Sequence, residues 1–177
     1  MKALVWHYTY ENSIKSILDS AALLPPIMTP DFEERRRAMY PGVDVKDRGF
    51  QADAKMLLFS AREDWEPASY RGISVGGRII DLHKLEDYET HGVRVYRIGV
   101  DRDILHPWVR LKRLCGMPHG MAKSLETIAR KVGSNPFDWW GTMRPIPIEK
   151  WRSIEVYDAT TKTWKEQAKA ASAKAGQ

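Results

Sequence analysis

A chain of 177 residues, 43% hydrophobic and 29% charged, suits one globular domain that buries roughly two thirds of the surface of its unfolded chain. No apolar run approaches the ~20 residues of a membrane helix. The opening Met1-Lys2-Ala3-Leu4-Val5-Trp6-His7 is too short and too soon polar for a secretory signal, and the single cysteine, Cys115, excludes an internal disulfide, so the expected address is the cytoplasm. A formal charge of +5, from 28 Lys and Arg against 23 Asp and Glu, is too mild to argue by itself for nucleic-acid binding.

Leu4 to Tyr8 is apolar and aromatic and predicts a strand. Asn12 or Ser13 then offers a cap for a helix whose Ile14, Ile17, Leu18 and Ala21 fall on one face, with Pro25-Pro26 as its end. Thr29-Pro30 reads as a cap followed by proline at the first helical position. Glu33 and Glu34 come early in that helix and Arg35, Arg36 and Arg37 late, which complements the helix dipole, and Pro41-Gly42 stops it. Val43 to Lys55 is polar and predicts a loop. Met56 to Phe59 predicts a buried strand, Arg78 to Ile80 a weaker one, and Val93 to Val100 another.

Met121 to Val132 gives the clearest helical pattern. Met121, Leu125, Ile128, Ala129 and Val132 form one stripe, and Gly133 supplies the stop. Ile154 and Val156 alternate with polar neighbours in a last, half-buried strand. Beyond Trp164 the Ala/Lys-rich tail lacks large apolar residues, so residues 1–164 are expected as one domain and 165–177 as a frayed basic tail. Helices come early and in the middle, and strands lack a regular βαβ rhythm, which favours α+β.

Several chemistries have no signature in the sequence: there is no P-loop, GxGxxG, paired CxxC or HExxH. The histidines His7, His83, His91, His106 and His119 lack the helical i, i+4 spacing of a metal site. Cys115 as a nucleophile competes with the commoner reading of a bystander thiol. Seven tryptophans are a high count, and they serve either the core or the wall of a pocket for a flat ring. A basic excess between Val93 and Leu114 (Arg94, Arg97, Arg102, Arg110, Lys112 and Arg113) reads as a solvated face or a phosphate-facing surface. His7 lies mid-strand with Thr9 on its face; it either points into a cleft or is a core histidine bonded to backbone.

The segment VWHYT, with the helix that ends in ILDSAALLPP, resembles the opening of ADP-ribosyltransferase-like domains. The segment LLFSAREDWEPASY is similar to the second signature of their histidine–tyrosine–glutamate branch, the poly-ADP-ribose polymerase and diphtheria-toxin type. Phe59 and Tyr70 then stand at its two tyrosine positions, 11 residues apart. The resemblance implies an α+β fold with a split mixed or antiparallel β-sheet core and peripheral helices. It implies a site in which His7, Tyr8, Thr9, Phe59, Ser60 and Tyr70 bind NAD, with His7 in the catalytic set as well. Glu149, with Glu155 and Glu66 as alternatives, would stabilise the positive charge that develops on the ribose. Phe59 departs from the family's tyrosine, and on the family pattern Ser153 stands where a glutamate is expected.

The implied function is NAD-dependent ADP-ribosyl transfer to a protein or nucleic acid, in toxin or phage–host conflict. Two alternatives stay open. One is a catalytically silent nucleotide- or partner-binding module of the same fold. The other is a nucleic-acid-processing enzyme, such as an NAD-dependent RNA phosphotransferase, that uses His7, Ser60 and the arginines.

Overall fold

The computed structural model describes residues 3–39, 42, 44, 46–75 and 78–167, with backbone alone at 38, 39, 50, 71–75 and 79. The chain is α+β, and its main sheet has seven strands in the order β11-β10-β6-β1-β3-β8-β7. These are β1 (Leu4–Tyr10), β3 (Leu57–Ser60), β6 (Val95–Asp101), β7 (His106–Pro107), β8 (Trp139–Thr142), β10 (Trp151–Asp158) and β11 (Thr163–Glu166). Two small two-stranded sheets, β2 (Ala22–Leu23) with β9 (Ile146–Pro147) and β4 (Arg71–Val75) with β5 (Arg78–Leu82), lie outside it. Every strand pair among the described residues is antiparallel, the second of the two sheet types expected.

Period-two alternation in β1 sorts the core. Val5 packs with Leu57, Phe59, Ile98 and Trp151 on one face, which Ile14 of α1 (Glu11–Asp19), Leu23 of β2 and Ile146 of β9 cover. Trp6, Tyr8 and Tyr10 point the other way, into a cluster with Trp65, Leu82 and Tyr88. Tyr88 belongs to α4 (Leu85–Thr90). A third cluster gathers Trp139 of β8 with residues of three helices. They are Ala52 of α3 (Arg48–Ala54), Trp108 and Leu111 of α5 (Trp108–Leu114), and Ala122 and Ala129 of α6 (His119–Lys131).

Several expected boundaries move. β1 runs two residues further, to Tyr10, and α1 begins at once with no side-chain cap from Asn12 or Ser13. That helix ends at Asp19, well before Pro25, because Ala21 adopts a left-handed φ of 50° and the Ser20 hydroxyl takes the Ile17 carbonyl at 2.9 Å. Thr29 caps nothing. Its hydroxyl donates back to the Pro26 carbonyl at 2.6 Å, and α2 (Phe32–Met39) starts two residues after Pro30. Pro41 lies outside the described residues.

The stretch from Val43 to Lys55 is not all loop. Asp47 Oδ1 accepts from the Gly49 amide at 2.8 Å and opens α3, whose Ala52 and Ala54 are buried. Small alanines carry that contact, so no large-residue periodicity announced the helix; Val43 and Val45 themselves lie outside the described residues. In α6 the buried stripe is carried by Ala122 and Ala129, and Ile128 is half exposed instead of inside. Gly133, at φ 87°, ends it as expected. Lys165 and Glu166 belong to β11, paired with β10, so the tail does not fray from Lys165; residues 168–177 lie outside the described residues.

Among the described residues no helix is long and apolar enough to cross a membrane.

Candidate functional site

β1 and β3 are brought side by side by one register pair, Trp6 with Ser60. His7 reinforces that thin ladder. Its Nδ1 lies 2.9 Å from the Leu58 carbonyl oxygen, which can only accept, so Nδ1 carries the hydrogen. The imidazole also leans on Phe59, with ring centroids 5.4 Å apart and planes tilted by 53°. His7 thus bonds backbone and touches the Phe59 ring at the same time.

Beside β3 lies a cavity of about 350 Å³. Its walls are Leu58 and Phe59 of β3, Trp139 of β8 and Trp108 of α5. The side of α6 bearing Leu125, Ile128, Ala129 and Val132, together with the segment from Glu66 to Tyr70, closes it. The 3-10 turn Pro67–Ser69 shapes that segment. Glu66 caps the turn, its Oε1 accepting from the Ala68 amide at 3.2 Å. Glu66 is only 3% exposed, and its Oε2 receives the hydroxyl of the equally buried Ser60 at 2.7 Å. The carboxylate is therefore held at both oxygens on the cavity wall.

Trp108 is fixed from behind. Its indole Nε1 donates to Glu126 Oε1 at 2.7 Å, and Lys112 Nζ reaches the same oxygen at 2.7 Å. The hydrogen bond from Lys112, more than that from Trp108, holds the Glu126 carboxyl below the usual carboxylate range against the opposing effect of burial. Trp108 meets Trp139 edge to face at a centroid distance of 5.3 Å. Asp53 also lines the cavity and is paired with Arg36 at 2.9 Å.

Of the residues expected from sequence, Phe59 and Tyr70 border this one cavity. Ser60 joins it through Glu66, and His7 through its contact with Phe59. Tyr70 also packs on the ring of His83 at 4.3 Å. Tyr8 points to the opposite face of β1 from His7, where its ring meets Trp65 edge-on at 4.9 Å, and burial pushes its phenol well above the ordinary range. Thr9 is buried on the His7 face and does not line the cavity.

The three carboxylates separate cleanly. Glu149 sits exposed in the 3-10 turn Ile148–Lys150, and no part of it lines the cavity. Glu155 is bound to Arg97. Glu66 is the member of the set on the cavity wall. Ser153 pairs with Gly99, and its hydroxyl is buried with no hydrogen-bond partner among the described residues. Cys115 is buried against Met56, and burial raises its thiol above the usual range, which argues against a nucleophile there.

The basic stretch does not form one face. Arg97 is internal, Lys112 is paired with Glu126, and Arg102 lies over the Trp140 ring at 5.0 Å. On the cavity's far wall, sequence reading missed Asp53 and left the tryptophans, here Trp108 and Trp139, open between core and pocket wall. The Trp139-Trp140 pair and the apolar stripe of α6 are local signals for it, and neither says which strand they meet.

Comparison with family models, with curated proteins and with solved structures gives no match for this chain.

Proposed function

We propose that this domain binds NAD by its nicotinamide–ribose end in the cavity beside β3 and transfers ADP-ribose to a macromolecular acceptor, with Glu66 as the acting carboxylate. The observation that carries this reading is that Glu66, nearly fully buried, shares a cavity with Phe59 and Tyr70, the two rings of the second signature. A cavity of this size is at the lower end for small-molecule sites, and aromatic walls with a fixed carboxylate suit a flat ring on a sugar. When bound, NAD supplies a glycosidic bond whose cleavage places positive charge on the ribose.

The chain's own part is electrostatic and geometric. Glu66 is pre-oriented by Ser60 and the Ala68 amide, so it need not reorganise to meet that charge. The cavity it lines is walled mostly by apolar side chains, which strengthens its field there. The Glu126 clamp keeps the Trp108 indole in place at the wall. His7 holds β1 to β3 through the Leu58 carbonyl and so keeps Phe59 at the wall.

A second reading, a silent binding module of the same fold, is favoured by one observation. No carboxylate from the last strands lines the cavity: Glu149 is outside, Glu155 is bound by Arg97 and Ser153 takes the remaining place. Incubation with labelled NAD, alone and with cell lysate, decides between them. Nicotinamide release or label transfer that falls on the order of 10²–10³-fold in Glu66→Gln, and persists in Glu149→Ala, supports the transferase with Glu66 in the role. Loss in Glu149→Ala alone would remove Glu66 from it. A folded protein that binds NAD without releasing nicotinamide is the binding module.

A further inference from the structure

The cavity beside β3 joins aromatic walls to a carboxylate that faces no cation. Glu66 is 3% exposed, and its two donors, the Ser60 hydroxyl and the Ala68 amide, are neutral. Among the described residues no Lys, Arg or His stands within ion-pair distance of it, and none lines the cavity. Arg62, whose charge it feels, is committed to Asp64 at 3.4 Å and to the Gly133 carbonyl at 3.0 Å. The second acidic group on the wall, Asp53, is already paired with Arg36.

Two neutral hydrogen bonds offset only part of the cost of taking a carboxylate out of water. A carboxylate has about four lone-pair sites, and two are used here. The rings of Phe59, Tyr70, Trp108 and Trp139 line the same space, and aromatic faces attract positive charge once water is excluded. Charge and shape together call for an occupant that is flat and cationic.

We propose that this cavity is a binding site for a planar organic cation, either an N-substituted pyridinium ring or a guanidinium, with Glu66 as the counter-charge and the aromatic walls as the selector for flatness. The site goes beyond the NAD reading. The pyridinium of NAD is one such cation, but the requirement is set by Glu66 and the rings whichever molecule carries the charge.

The test is titration of the full 177-residue protein, followed by tryptophan fluorescence and calorimetry, with two matched pairs of probes. One pair is 1-methylnicotinamide against neutral nicotinamide; the other is N-ethylguanidinium against neutral N-ethylurea. A cation that binds at least about tenfold tighter than its neutral match supports the proposal, tenfold being ~1.4 kcal/mol. Binding by one pair alone identifies which cation the cavity takes. Glu66→Gln, which keeps the size and one of the two acceptor oxygens, is expected to erase the preference.

Should that variant unfold, Ile128→Arg serves instead. Ile128 is 49% exposed at the cavity edge, so the new cation is tolerated and competes for the site. Equal affinity for cation and neutral match, or a preference that survives either folded variant, overturns the proposal. Cation binding without nicotinamide release would refute the transferase reading and leave this one standing.

Discussion

Arg97 on β6 and Glu155 on β10 lie opposite each other in register, and the guanidinium grips one carboxylate oxygen through Nε at 2.7 Å and Nη2 at 2.5 Å. The same guanidinium is sandwiched between Trp6, at 3.8 Å, and Trp164, at 4.3 Å, and also donates to the Glu63 carbonyl. It ties β11 and the segment before Glu66 to the middle of the sheet. Glu155 is thereby held by the sheet, away from the cavity wall.

Truncating one partner of such a shielded pair leaves an uncompensated charge. Glu155→Ala is expected to lose roughly 3–5 kcal/mol of stability, read as a lower urea midpoint. Nicotinamide release per folded molecule should be unchanged. A variant as stable as the parent would mean that the pair is solvated and contributes nothing.

The clamp behind Trp108 predicts a pH dependence. Glu126 titrates below the usual range in the folded state, mainly because Lys112 donates to it. Its contribution is therefore complete above the ordinary glutamate pKa of ~4.3 and is lost as pH falls through the lower folded value. Glu126→Gln should melt below the parent at neutral pH, and the gap should close on acidification. A gap that stays constant down to acid pH would show that the charge on Glu126 has no part in it.

Gly141 on β8 is flanked by Leu58 of β3 and His106 of β7. A Cβ there would strike the Leu57 carbonyl and come within 2.6 Å of Leu111 Cδ2. At Gly99 the obstacles are side chains, Ser153 Oγ and a Trp6 ring carbon, both at 2.8 Å. Side chains give way more readily than backbone. Gly99→Ala should cost ~1–3 kcal/mol and Gly141→Ala more, in matched thermal or urea unfolding. The reverse order would mean that β8 moves more easily than its position between two strands implies.

His7→Ala removes the hydrogen bond to the Leu58 carbonyl and the contact with Phe59. The expected loss of stability is about 1–3 kcal/mol. If His7 acts only by holding the strands, the affinity of folded variant for NAD or for the probe cations falls little. A large loss of NAD affinity with stability retained would make His7 a direct ligand contact instead.

Local pattern was enough for the elements built from large apolar residues. The α+β class, the strands around Val5, Leu57, Ile98 and Ile154, and the helix before Gly133 follow from alternation, helical spacing and a left-handed glycine, all of which are properties of neighbouring residues. The helix from Arg48 to Ala54 did not show, because its inward face is made of alanines whose burial depends on what packs over them. The site was legible only in fragments. His7, Phe59 and Tyr70 stood out in the sequence, and of three glutamates Glu149 was preferred there, with Glu155 and Glu66 as alternatives.

Tertiary structure separates them: the turn after β3 folds Glu66 back onto Ser60, strand register pairs Glu155 with Arg97, and Glu149 is left in water. Residues far apart in the chain, Asp53, Trp108, Trp139 and the α6 face, complete the cavity wall. Which distant surfaces meet is set by the order of strands in the sheet and the helices packed on it, and no short window of sequence carries that information.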